Sequence, residues 1–438
     1  MNIATIAVAA LCAAFAVNAK AEHLNYALTT SDGRSVYKCG EKVTYKVKVT
    51  RSKDKAIPKK GGKVKVKLDN YGSVLMGEAE WDLSVTNEFS ISGSLNEPGF
   101  LRLQVKGPGA PHQVTSVAFD PLKIVKGSPR PADFDEYWQK AVEKLEKEVP
   151  ADVQMVKLDK YSTKDYDFHE ISFATFGRRV YGYISIPTDK SKAPYPVDFS
   201  VNAAGFGGWT NSMKGHKSRI CVLFSVYPFP MSPEWAKLGL KKKYDELNAE
   251  TKKKYGVDYY PLGGITKGRE SYFYYPVILG INRAVNWVAA RPDVNRKKFR
   301  YQGTSQGGGF GLYMCGLNSA FTRAVFYVPA LADTMGYLKG RQSGWPRIVE
   351  KNSKTDAQKA AAEKWAPYFD GANFASRIKC PVRVVVGFSD MTCAPCAVYA
   401  AYNEIPEGVD KDISHGVGMG HFVWGQFYLQ MGKWLTEN

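Results

Sequence analysis

The sequence is poor in histidine and cysteine, and it has few acidic residues for its number of basic ones. Six histidines and seven cysteines are scattered over 438 residues, without the paired spacing of a zinc site or the dense pattern of a disulfide framework. Beyond the first 21 residues, no apolar run approaches the roughly 20 residues that a membrane-spanning helix needs. These absences argue against a zinc domain, a disulfide-stapled scaffold and a membrane-spanning protein. We therefore expect a globular chain without a metal or cofactor.

Basic residues outnumber acidic ones by 60 to 42, which gives a formal net charge of +18. In a protein outside the cytoplasm, this excess favours an acidic polysaccharide or envelope surface as a partner over nucleic acid. Part of the charge lies in two lysine runs, at 241–243 and 252–254. Such runs are typical of the solvated face of a helix, which is the structure predicted for them.

The start of the chain has the pattern of a secretory signal peptide. Residues 3–17 are apolar, and Ala19-Lys20-Ala21 resembles a small-residue cleavage site. The sequence therefore predicts cleavage of residues 1–21, a secreted or periplasmic protein, and no membrane anchor after cleavage. In that compartment Cys393 and Cys396 could form a local disulfide or remain two separate thiols.

Residues 22–126 predict a small antiparallel β-sandwich of the immunoglobulin-like type. Apolar residues alternate with polar ones at 43–49 and 64–68, and turn-forming residues separate such runs. Nothing in this region looks catalytic. A packing or spacer module is the commoner role of such a domain, and carbohydrate binding is the alternative.

A second domain is predicted over residues 127–438, and residues 126–131, with two prolines and a glycine, are the predicted linker at its start. Asp133 is expected to cap its first helix, and strands then alternate with helices. This order predicts an α/β fold with a mostly parallel sheet.

The sequence Gly303-Thr304-Ser305-Gln306-Gly307 has the Gly-x-Ser-x-Gly pattern of a nucleophile elbow. It stands between a strand predicted at 298–302 and a helix predicted at 310–317, which is the order that the elbow requires. The glycines allow a sharp turn and close packing of neighbouring elements. The pattern predicts an α/β-hydrolase fold with Ser305 as the nucleophile.

A serine nucleophile needs a histidine base and a carboxylate that orients it. In α/β-hydrolases both follow the serine, and His421, in a glycine-rich turn, is the first candidate for the base, with His415 as the fallback. For the acid we favour Asp390, which follows the clearest buried strand of the chain, where open α/β sheets place their sites. Asp333 and Asp370 are the alternatives.

The oxyanion formed during such a reaction needs backbone donors. We expect one from Gln306, directly after the serine, and one from Phe206, in a glycine-rich loop after a predicted strand. The aromatic side chains of Trp209, Tyr227 and Trp424 lie near these segments and suit stacking on sugar rings, although core packing would explain them equally well.

From about residue 130 onward, the sequence resembles the acetyl xylan esterase and cephalosporin C deacetylase family of α/β-hydrolases. The resemblance rests on several separate blocks, namely the residues at 133–138, 271–275, 282–285, 303–309, 372–382 and 398–403. It implies a triad of Ser305, Asp390 and His421 with Gln306 as an oxyanion donor. At Phe206 the family usually has a tyrosine after a His-Gly pair.

The resemblance implies that the protein removes acetyl groups from acetylated xylan or related oligosaccharides through an acyl-enzyme. Two alternatives remain open from the sequence. One is a carboxylesterase that acts on acidic pectin or on non-carbohydrate esters, and the other is a non-catalytic carbohydrate-binding protein on a hydrolase scaffold.

Overall fold

The computed structural model describes residues 23–58, 61–72, 74–109, 112–205, 215–231 and 237–437. The signal peptide predicted at 1–21 lies outside these ranges. Within them, no helix combines the length and the apolar character needed to cross a membrane.

Two sheets in the N-terminal part of the chain share one apolar core. Their strands are β1 (Leu24–Thr30), β2 (Val36–Tyr37), β3 (Val43–Arg51), β4 (Lys63–Asp69), β5 (Leu75–Asp82), β6 (Glu88–Gly93), β7 (Gly99–Lys106) and β8 (Gln113–Phe119). One sheet has the order β1-β3-β6 and the other the order β2-β8-β7-β4-β5, and every pair except β2-β8 is antiparallel. The period-two runs at 43–49 and 64–68 predicted β3 and β4 correctly, because alternate side chains of a strand point to opposite faces. The immunoglobulin-like assignment and the boundary at 126 stay predictions.

A nine-stranded sheet forms the centre of the rest of the chain. Its strands are β9 (Gln154–Lys157), β10 (Tyr166–Thr175), β11 (Arg178–Pro187), β12 (Tyr195–Val201), β13 (Ile220–Ser225), β14 (Val294–Thr304), β15 (Arg323–Tyr327), β16 (Val382–Gly387) and β17 (Lys411–Gly416). The order is β17-β16-β15-β14-β12-β13-β11-β10-β9, with parallel pairing from β17 to β13 and antiparallel pairing from β13 to β9. The predicted α/β-hydrolase fold is confirmed.

Helices pack on both faces of this sheet. They are α1 (Phe134–Glu148), α2 (Lys237–Tyr255), α3 (Tyr274–Ala289), α4 (Gln306–Leu317), α5 (Asp356–Trp365), α6 (Gly371–Ala375), α7 (Pro395–Glu404) and α8 (Gly425–Thr436). Phe427 and Met431 of α8 belong to one apolar cluster with Val325 and Val385, whereas α3 and α4 belong to the main core. Because both faces are covered, strands β13, β15 and β16 are mostly apolar along their length.

Two expectations about helices have different outcomes. The lysine runs lie on α2 with exposed side chains, as predicted. Asp133 occupies the N-cap position of α1, as predicted, but its side chain makes no capping hydrogen bond. It accepts a hydrogen bond from the Tyr368 hydroxyl and pairs with Arg269 at 3.3 Å. These tertiary partners take the place of the local backbone N–H groups.

The N-terminal sheets and the hydrolase part are joined by a common core. Phe100 of β7 and Ala118 of β8 belong to the same apolar cluster as Phe388 and Tyr399. The predicted linker is also packed, since the backbone N–H of Gly127 donates to the Asp333 carboxylate at 2.6 Å.

A buried ion pair in the N-terminal part generates a stability prediction. Arg102 donates to both carboxylate oxygens of Asp69, at 2.9 and 3.1 Å, and both side chains are buried. Arg102→Ala leaves the Asp69 carboxylate buried without its cation, which typically costs about 3–5 kcal/mol. We expect a loss of this size in the free energy of unfolding, measured by chemical denaturation.

Lys48→Ala is the control for this prediction. Lys48 pairs with Glu88 at 2.5 Å, but both side chains are exposed, and such pairs contribute little. Equal destabilisation by the two substitutions would contradict the prediction.

Candidate active site

Ser305 lies on a strained turn between β14 and α4. Its backbone has φ 56° and ψ −119°, a conformation that residues other than glycine rarely adopt. The flanking glycines are required by close approach: a Cβ on Gly303 would lie 2.4 Å from the Gly307 carbonyl oxygen. A Cβ on Gly307 would lie 2.2 Å from the carbonyl oxygen of Val201. The geometry is that of the predicted elbow.

The structure brings together the three side chains proposed as nucleophile, base and acid. The Nε2 atom of His421 lies 3.0 Å from Ser305 Oγ, and its Nδ1 atom lies 2.8 Å from Asp390 Oδ2. Each residue follows the carboxyl end of a parallel strand, β14, β16 or β17, so the sheet itself places them at one edge. With Asp390 ionised, Nδ1 donates to the carboxylate and Nε2 is free to accept the serine proton.

Asp390 is fully buried, with an exposed fraction of 0%. Its Oδ1 atom accepts hydrogen bonds from the backbone N–H groups of Thr392 and Cys393, at 2.8 and 2.9 Å. Its Oδ2 atom is the one that faces His421. These backbone N–H groups replace hydrogen bonds that the buried carboxylate would otherwise make to water.

The alternative base and acids have other partners. The Nε2 atom of His415 lies 2.6 Å from the Tyr399 hydroxyl, and burial lowers the pKa of this histidine. Asp333 pairs with Arg341 at 2.9 Å, and burial raises its pKa to about 6. Asp370 accepts hydrogen bonds from backbone N–H groups, including that of Asp333 at 2.8 Å. These contacts are those of structural groups.

Gln306 begins α4, so its backbone N–H has no acceptor within the helix. This placement suits the donor role predicted for it. The second predicted donor, Phe206, and the predicted sugar-binding residue Trp209 lie outside the described residues. Both roles stay predictions.

The side chain of Gln306 is held by tyrosines that the sequence did not single out. Its Oε1 atom accepts hydrogen bonds from the hydroxyls of Tyr260 and Tyr274, at 2.5 and 2.6 Å. Its Nε2 atom donates to the Asn202 carbonyl at 3.2 Å. Tyr274 lies in one of the blocks that carry the family resemblance, but no local pattern connects either tyrosine with Gln306.

Comparison with known proteins identifies the family of this chain. The family model for acetyl xylan esterase (AXE1) matches residues 113–437. The chain belongs to the acetyl xylan esterase family. One curated relative, acetyl esterase Axe7A of Xylanibacter ruminicola, is 29% identical over 319 residues, which cover 72% of this chain and 69% of the relative. Family membership makes the protein a carboxylic ester hydrolase.

Two solved structures of acetyl xylan esterases share the fold. The enzyme from Paenibacillus sp. R4 is 22% identical with a TM-score of 0.60, and the match covers 72% of this chain and 97% of that one. Acetyl xylan esterase 1 from Thermoanaerobacterium sp. JW/SL YS485 is 19% identical with a TM-score of 0.58, over 72% and 96% of the two chains. Both are therefore matched almost entirely by part of this esterase.

The two remaining candidate substrate residues differ in exposure. Tyr227 is only 1% exposed, and its hydroxyl donates to the Gly205 carbonyl at 2.8 Å. Its ring packs against those of Phe229, Tyr244 and Tyr260 and offers no open face for a sugar. Trp424, three residues after His421, is 43% exposed and keeps an accessible ring.

Asp390, Cys393 and His421 are the described residues that come closest to a metal-binding group, with potential ligand atoms within 4.8 Å of one another. Burial raises the pKa of the Cys393 thiol well above its ordinary value, which keeps it protonated and a poor ligand. The Asp390 and His421 atoms already bond to each other. Cys393 and Cys396 are both free thiols.

The elbow generates the second prediction. Gly307→Ala places a methyl group against the Val201 carbonyl, so we expect a loss of about 1–3 kcal/mol in stability and a displaced Ser305 with little esterase activity. Thermal melting and hydrolysis of 4-nitrophenyl acetate measure the two effects.

Gly432→Ala is the matched control. A Cβ at Gly432, within α8, meets no atom within 4 Å, so alanine should leave activity unchanged and stability equal or higher. Full activity in the Gly307→Ala variant would contradict the proposed packing of the elbow.

Proposed function

We propose that this protein is an extracytoplasmic serine esterase that removes acetyl groups from acetylated xylan or related oligosaccharides. The observation that carries the proposal is the continuous hydrogen-bonded arrangement of Ser305, His421 and Asp390. Membership of the acetyl xylan esterase family supports the substrate, and the pattern of residues 1–21 supports export.

The reaction begins when His421 Nε2 takes the Ser305 proton as Oγ attacks the acetyl carbonyl carbon. The oxyanion of the tetrahedral intermediate accepts hydrogen bonds from the backbone N–H groups of Gln306 and Phe206. His421 then returns the proton to the departing sugar oxygen, which leaves an acetyl-serine. A water molecule attacks this ester with His421 again as the base, and acetate leaves as Ser305 regains its proton.

Asp390 orients the imidazole and stabilises its charge during both steps. The 2.8 Å hydrogen bond to Nδ1 fixes the tautomer in which Nε2 can accept a proton. Because Asp390 is buried, its field on His421 is screened little by solvent.

Aromatic side chains, the N-terminal module and the net charge bear on the choice of substrate. Trp424 presents a half-exposed ring near His421 and is the candidate for stacking on a sugar, with Trp209 as a second. The N-terminal β-sandwich, proposed over residues 22–126, then serves as a packing module beside the catalytic domain at 127–438. The net charge of +18 favours an acidic polymer such as pectin as the alternative substrate.

The triad is tested by three substitutions. In serine hydrolases, loss of the serine or histidine typically lowers kcat by about 10⁶, and replacement of the aspartate by asparagine lowers it by about 10⁴. We expect losses of these orders for Ser305→Ala, His421→Ala and Asp390→Asn, with melting temperatures near that of the wild type. Wild-type hydrolysis of 4-nitrophenyl acetate by Ser305→Ala would refute the proposal.

Ser319→Ala is the control, because Ser319 is an exposed serine beyond the end of α4. It should keep full activity and full labelling by a fluorophosphonate, whereas Ser305→Ala should lose both. Acetate release from acetylated xylan, compared with release of acetate and methanol from pectin, separates the two substrate classes.

A further inference from the structure

The loop that carries Asp390, residues 388–394 between β16 and α7, is called the acid loop below. It is held by two hydroxyl groups from the five-stranded sheet β2-β8-β7-β4-β5, which is called the N-terminal sheet. The Tyr71 hydroxyl donates to the backbone carbonyl of Phe388 at 2.8 Å, and Ser116 Oγ donates to the same oxygen. Phe388 is two residues before Asp390. Both donors therefore contact the short segment between the end of β16 and the carboxylate that bonds His421.

These two donors are rigidly mounted. Ser116 lies within β8, and Tyr71 has an exposed fraction of 0% just after β4. The Arg102 guanidinium lies over the Tyr71 ring, 4.6 Å from its centroid, and is itself fixed by Asp69. Burial raises the pKa of Tyr71 well above its ordinary value, so the phenol remains a donor throughout the working pH range.

The same loop has contacts on its other sides. The Phe388 ring meets the Phe100 ring of β7 edge to face, with 5.0 Å between the centroids. The Gln342 side chain donates to the Met391 carbonyl at 3.2 Å. The loop is therefore clamped on both sides of Asp390, and one side of the clamp belongs to the N-terminal sheet.

We propose that Tyr71 and Ser116 are positioning residues that hold the acid loop so that Asp390 meets His421. This inference rests on the proposed triad. It extends the support of the triad to the N-terminal sheet. Tyr71 precedes residue 113, where the match to the acetyl xylan esterase family begins, whereas Ser116 lies within that match. Tyr71 is buried and cannot contact the substrate, so its effect passes through Phe388 to Asp390.

The test compares Tyr71→Phe with Tyr45→Phe. Tyr45 is also buried in the N-terminal part, and its hydroxyl also donates to a backbone carbonyl, that of Leu101, at 2.6 Å. Both variants lose one buried hydroxyl-to-carbonyl hydrogen bond, so their melting temperatures should fall by similar amounts. Only Tyr71→Phe should lower kcat, by about tenfold, with KM for 4-nitrophenyl acetate unchanged.

Ser116→Ala should give a similar fall in kcat, and the double variant with Tyr71→Phe should lose about 100-fold, the scale of a 1 Å misplacement of a catalytic group. The rate of Ser305 labelling by a fluorophosphonate should fall in parallel, which gives a readout independent of the ester. If Tyr71→Phe lacks a cooperative melt, Ser116→Ala alone carries the test.

An unchanged kcat in folded Tyr71→Phe and Ser116→Ala would overturn the positioning role. An equal loss of kcat in Tyr45→Phe and Tyr71→Phe would overturn it as well. The triad itself is judged separately by Ser305→Ala. Activity lost there but retained in Tyr71→Phe and Ser116→Ala would refute only the inference about the N-terminal sheet.

Discussion

The positive-φ backbone of Ser305 is the constraint on which the rest of the site depends. Such a conformation costs on the order of 1–3 kcal/mol and persists only where its surroundings determine it completely. The Ser305 N–H donates to the Tyr327 carbonyl at 2.9 Å, and its carbonyl accepts from the Ala330 N–H at 3.0 Å. Together with the contact of Gly307 on Val201, these bonds fix the turn to the strands on both sides of β14. Hydrogen bonds and packing with the sheet thus offset the backbone strain and keep the hydroxyl in place.

The second requirement is that the buried polar groups around this turn keep one orientation. Gln306 satisfies it through two tyrosine hydroxyls and a backbone carbonyl, and Asp390 through two backbone N–H groups and His421. A buried polar group left without partners would cost more than its hydrogen bond contributes, so each such network favours one arrangement. The donors and acceptors of the reaction are therefore oriented before the substrate arrives.

The parts of this site that the sequence predicted are those with local signals. Ser305 has its glycines, His421 its turn before α8, and Asp390 its position after a buried strand. The Asp133 side chain does not cap α1 and instead contacts Tyr368 and Arg269, which are remote in sequence. The bond from Tyr71 to Phe388 spans 317 residues and that from Tyr260 to Gln306 spans 46. No local pattern encodes such contacts, because they exist only once the sheets have packed together.

Interfaces between domains are often polar and permit relative motion unless they are large and apolar. Here Phe100 and Ala118 join the same core as Phe388 and Tyr399, so the N-terminal sheet is fixed to the hydrolase part through apolar contacts. A hydroxyl on such a sheet constrains the loop that it contacts, whereas one on a mobile module would not. The match to the Paenibacillus enzyme covers 97% of that enzyme but only 72% of this chain, so this chain has residues beyond the fold that the two share. In this esterase the geometry of the acid loop consequently depends on whether the N-terminal sheet is folded.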